Sequence, residues 1–116
     1  MRAVILGMLL AAGPALAHDA VIDGATARSG SSGWSFSVTL THAETGWDDY
    51  ADGWRVETES GEVLGTRVLA HPHENEQPFT RSLSGVIVPD GTSAVWIRAR
   101  TSVDGWAEDR FQLELP

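Results

Sequence analysis

The chain has 116 residues, with sixteen Asp or Glu against eight Arg and no Lys, for a formal charge of −8. So acidic a balance is repelled by phosphate backbones, so nucleic acid is not expected as a partner, whereas cations or a basic protein surface are compatible. Cysteine is absent, which excludes disulfide stapling, a thiol nucleophile and an acylated-cysteine anchor within these residues.

The N-terminus begins with a short positive pair, Met1-Arg2, followed by an apolar run over residues 3–12. Gly13-Pro14 breaks the run, and Ala15-Leu16-Ala17 fits a small-x-small cleavage site. This order predicts a secretory signal over residues 1–17, cleaved after Ala17. The apolar run is about half the ~20 residues that span a bilayer, so no stable membrane anchor is expected. What remains is one domain, 18–116, beginning at His18 and working in the periplasm or outside the cell. Losing Arg2 makes it one unit more negative.

Residues 20–28 are the weakest strand candidate. Over residues 33–42, Trp34, Phe36, Val38 and Leu40 alternate with Ser35, Ser37, Thr39 and Thr41. A period of two means one buried and one wet face. The alternation predicts a strand over 54–58, with Trp54 in the core. Glu59-Ser60-Gly61-Glu62 then turns it into a second strand over 63–69, as a hairpin. Residues 80–88 form a further strand candidate, with Gly85 as a bulge. Residues 94–101 and 111–115 alternate in the same way. About seven short strands separated by turn signals predict an all-β protein. The architecture expected is a single antiparallel immunoglobulin-like or fibronectin-type β-sandwich, with a small barrel as the alternative.

Two connections carry more functional groups than a turn needs: residues 42–54 (HAETGWDDYADGW) and 71–81 (HPHENEQPFTR). Loops at the ends of a rigid sandwich are where function is commonly presented. Trp47, Asp48, Asp49, Tyr50, Gln77 and Phe79 are therefore the candidate contacts for a partner, either an exported protein or a small ligand. His42 continues the apolar face of its strand and reads as a buried edge residue. Asp48, Asp49 and Asp52 lack the spacing of a calcium loop. Arg81, Arg98 and Arg100 are expected to pair with nearby acids.

His71-Pro72-His73 suggests a second chemistry. Proline favours extended geometry in the residue before it, and extended residues i and i+2 point the same way. Two imidazoles so placed, with Glu76 or Glu74 adding an oxygen, would suit copper or zinc. His18 would join its free amine and imidazole to such a site after cleavage. No nucleophile elbow and no phosphate-binding glycine loop occurs, so no enzyme activity is expected.

The stretches Thr45-Gly46-Trp47-Asp48, Tyr50-Ala51-Asp52, Leu64-Gly65-Thr66-Arg67-Val68-Leu69, His71-Pro72-His73 and Glu76-Gln77-Pro78-Phe79-Thr80-Arg81-Ser82-Leu83 carry a resemblance. The chain resembles a family of small, exported, uncharacterised bacterial proteins over most of 18–116. The resemblance implies export and a sandwich, with no assigned activity. Members often carry histidine where this chain has Asp49, a departure that bears on any metal site using that position.

Overall fold

A computed structural model describes residues 19–116. The expected signal segment 1–17 and His18 lie outside the described residues. In chain order the strands are β1 (Val21–Gly30), β2 (Gly33–Thr41), β3 (Ala51–Glu57), β4 (Val63–Val68), β5 (Phe79–Val86), β6 (Ala94–Thr101), β7 (Gly105–Trp106) and β8 (Phe111–Glu114).

The strands form two antiparallel sheets packed as a sandwich, as the alternation predicts, and not a closed barrel. One sheet has the order β1-β2-β5. The other has the order β4-β3-β6, with β7 and β8 both pairing along the free edge of β6. The inner faces meet over Phe36, Val38, Leu40, Trp54, Val56, Phe79, Val95 and Ile97, all essentially inaccessible to water. Full burial of each large apolar side chain contributes about 1.5–3 kcal/mol. Cysteine-free stability rests on this packing.

Glycine allows two close approaches. Gly33 has φ 121°, and a Cβ there would lie 2.8 Å from the Val86 carbonyl oxygen. The β1–β2 turn therefore presses directly on β5. At Gly65 a Cβ would come within 3.0 Å of the Leu83 side chain, so edge strand β4 can lean onto the opposite sheet.

Three details differ from the periodicity. The weakest candidate, β1, is the longest strand, at 10 residues. It is an edge strand whose inward positions include the small residues Ala25 and Ala27, only partly buried, so its apolar signal is faint. Strand β3 starts at Ala51, not Trp54. Trp106, which lies outside the strands that the alternation marks, belongs to β7, where it faces Arg100 of β6. The bulge near Gly85 is present: the β2–β5 register shifts between Trp34↔Val86 and Phe36↔Leu83.

Candidate functional site

The two loops singled out by composition meet at one end of the sandwich, around a buried carboxylate. Glu44 follows β2, and its side chain is fully buried. Its Oε2 accepts the Ala51 backbone N–H at 2.6 Å and lies 3.0 Å from His42 Nδ1. Its Oε1 accepts the His73 backbone N–H at 2.7 Å. One side chain thus satisfies donors from both loops, which is how a charged group is tolerated inside. Gln77 completes the bridge: Oε1 accepts the His42 N–H at 3.0 Å and Nε2 donates to the His73 carbonyl at 2.9 Å.

Above this clamp, residues 45–49 form a tight turn. Thr45 N–H donates to the Asp49 carbonyl and Asp49 N–H to the Gly46 carbonyl, both at 3.2 Å. Gly46 adopts φ 122°, a conformation that favours glycine. Trp47 and Asp48 occupy the tip. Trp47 is 67 % exposed, and its ring meets Tyr50 edge-on at 5.5 Å. Tyr50 is held by its backbone on both sides: its N–H donates to Ser102 Oγ, and its carbonyl accepts Ser102 N–H at 2.9 Å. Asp49 lies 3.6 Å from His42 Nε2.

In the second loop the histidines diverge in environment. His73 is buried, its ring stacked on Phe79 at 4.0 Å and 10°; among the described residues neither ring nitrogen has a hydrogen-bond partner, and Nδ1 lies 3.9 Å from Glu44 Oε1. Burial pushes its pKa below the usual histidine value, aided by the nearby Arg81 and His71 charges and opposed by Glu44 and Glu76. His71 is exposed, with its ring 4.7 Å from that of His73. Glu76, the proposed oxygen ligand, pairs with Arg81 at 3.1 Å, and that hydrogen bond lowers its pKa. Among the described residues no group of three His, Asp or Glu side chains is placed to hold a metal ion. His18 lies outside the described residues. Phe79 is 1 % exposed and belongs to the core, so its ring is not at the surface for a partner. Gln77 spends its side chain on the loop bridge.

The sequence reading missed the outer face of the five-stranded sheet. Glu57 was expected on a wet strand face, yet it is wholly buried beneath Arg55, Arg98 and Arg110. Its oxygens accept from Arg55 Nε at 2.7 Å, Arg98 Nε at 2.8 Å and Arg110 Nη1 at 3.1 Å. Burial raises its pKa, but the hydrogen bonds from Arg98, Arg55 and Arg110 outweigh it and lower the value to about 2. Trp106 lies 4.0 Å beneath the Arg55 guanidinium and Trp96 5.2 Å from that of Arg110. Arg100 pairs with Asp52. The expected pairing of Arg81, Arg98 and Arg100 with acids is observed. The same-face alternation of Arg55, Glu57, Arg98 and Arg100 was the signal available in the sequence.

A groove of about 410 Å³ opens on this face, lined by Asp52, Thr66, Val68, Arg100, Trp106 and Tyr50, the residue whose ring meets Trp47.

No protein-family model matches the chain, and no solved structure matches it significantly. The chain is 43 % identical over 86 residues to a protein of Halomicrobium mukohataei whose printed name is "Putative lipoprotein". The match covers 74 % of this chain and 42 % of that protein, so the chain spans less than half the length of the relative it is similar to.

Proposed function

We propose that this chain is an exported, non-catalytic binding module whose working surface is the Trp47 tip with the groove beside it. Export draws support from the signal-like order of residues 1–17 and from the similarity to a protein named as a lipoprotein. Lipid attachment is not carried over, because these 116 residues hold no cysteine.

The observation that carries the binding role is Trp47, 67 % exposed, on a turn whose base is tied to the core by Glu44. A large exposed ring on a preorganised support binds with little ordering cost. The acid at the base of the turn, Glu44, holds structure. The Glu44 oxygens accept backbone N–H groups, and Glu57 is enclosed by three arginines.

The test is site-specific photocrosslinking in the source cells, using the full chain. Benzoylphenylalanine at position 47 is expected to give a discrete adduct in the extracytoplasmic fraction. The same label at exposed position 28, on β1 of the other sheet, gives none. Equal adducts at both positions or cytoplasmic retention overturns the reading, as does the absence of both an adduct at 47 and any small-ligand binding in the groove.

A further inference from the structure

We propose that the groove beside the Trp47 tip takes the pyranose ring of a neutral sugar, an inference that rests on the binding-module reading above. The groove volume of about 410 Å³ lies within the usual range for small-molecule sites.

Its shape is built by the fold. The β3–β6 register shifts between Ala51 and Gly53, and such a bulge re-aims a side chain. The residue at the bulge is Asp52. Gly53 contributes no side chain to the groove it lines, and a Cβ there would lie 3.2 Å from the Arg67 carbonyl oxygen. The walls are held on both sides: Leu69 N–H donates to the Asp52 carbonyl at 3.0 Å, and Ser102 holds the Tyr50 backbone.

Its chemistry is mixed in a specific way. Asp52 and Arg100 form a pair, so the groove has no net charge although the chain carries −8. A free cation meets the guanidinium and a free anion meets the carboxylate, so neither is favoured. A neutral ligand with adjacent hydroxyls uses both, donating to the carboxylate and accepting from the guanidinium. Asp52 Oδ1 is buried and has no hydrogen-bond partner among the described residues; its acceptor capacity reaches a hydroxyl in the groove only when the carboxylate turns. The Thr66 hydroxyl adds a further polar contact. The Trp106 face lies under the Arg55 guanidinium, while Tyr50 adds aromatic surface and Val68, 68 % exposed, adds an apolar rim. Tyr50 and Val68 meet the C–H face of a sugar ring.

The full chain, or its form beginning at His18, is titrated with maltose, cellobiose and chitobiose up to about 10 mM, the weak end of specific affinity. Amide and indole N–H resonances are followed by NMR. The expected result is saturable binding of at least one sugar, with shifts confined to Tyr50, Asp52, Thr66, Arg100 and Trp106. Asp52→Asn weakens it roughly tenfold, the loss of a charge-assisted hydrogen bond. Because Asp52→Asn also touches the Arg100 pair, Thr66→Val on the edge strand serves as the second variant, and it too weakens binding. No saturable shift with any sugar overturns the assignment, as do shifts on the Ser37 and Ser82 face. If the position-47 adduct persists in that case, the sugar class alone falls. If the adduct is also absent, the binding-module reading falls with it.

Discussion

Glu44 and His73 are 29 positions apart, yet Glu44 Oε1 accepts the His73 backbone N–H at 2.7 Å, with Ala51 N–H on the other oxygen at 2.6 Å. The tip that presents Trp47 and the loop that carries the histidines therefore share one buried anchor. A change in either loop is felt through Glu44.

Glu44→Ala strands both backbone donors. Each buried donor without a partner costs about 1–3 kcal/mol, so a loss of about 3 kcal/mol is expected. For a domain of this size that lowers Tm by roughly 12 °C or more. Glu44→Gln keeps one good acceptor and falls between. Thermal unfolding followed by circular dichroism measures both, and an alanine variant that melts with the parent contradicts the anchor.

Glu57 sets the acid limit. Its carboxyl stands near pKa 2 in the folded protein, against an ordinary value of 4.5. A depressed folded pKa gives stability that is present above 4.5 and lost as pH falls through about 2. The difference amounts to about 3 kcal/mol. Urea midpoints measured between pH 5 and pH 2 should fall accordingly. Glu57→Gln, already weakened at neutral pH, should lose less over the same window. A parent protein with flat stability there would show that the three arginines do not hold the charge.

His73 acts in a different window. Burial lowers its folded pKa below 6.5, so the unfolded chain takes up the proton first as pH falls. Stability is undiminished well above 6.5 and declines below it, until the folded pKa is reached. His73→Phe keeps the ring stack on Phe79 and removes two buried ring nitrogens that make no hydrogen bond among the described residues. That variant should match or exceed the parent at pH 5.5, with a smaller drop between pH 7.5 and 5.5 in urea titrations. An unchanged drop would assign the effect to another group.

Trp47 and Trp54 separate surface from core. Trp54 is fully buried between the sheets, so Trp54→Ala should cost about 3–5 kcal/mol. Trp47→Ala, at the exposed tip, should stay within about 0.5 kcal/mol of the parent. Denaturant melts of the two variants check this. A large loss at Trp47 would recast the tip as a structural element.

Much of the fold was legible because a half-buried strand writes its two faces into alternate residues. Trp34, Phe36, Val38 and Leu40 mark the inner face, and all but the partly buried Trp34 are inaccessible. The hairpin at Gly61, with φ 96°, follows from turn chemistry. Faint signals came where small residues stand in for large ones, as in β1. The polar face of β2 was visible as Ser35, Ser37 and Thr39. Its partners were not: Ser84, Ser82 and Thr80 reach those hydroxyls at 3.3, 2.8 and 2.7 Å, from more than forty positions away.

The candidate site was half legible. Composition pointed to both loops and to the exposed ring of Trp47. It also promoted Phe79 and Gln77, one a core ring and the other a loop bridge. Asp52, Thr66, Arg100 and Trp106 come from four strands, and no spacing in one dimension joins them.

By itself, then, the amino-acid sequence determined an acidic, cysteine-free, all-β chain, the inner face of its clearest strands and the loops rich in functional groups. These depend on local periodicity and composition, which adjacent residues carry. Only the tertiary structure decided that Glu57 is enclosed, that Glu44 ties two loops together and that a groove opens beside Trp47. Each depends on side chains from distant strands meeting in a shared volume, where burial turns a surface acid into a structural one.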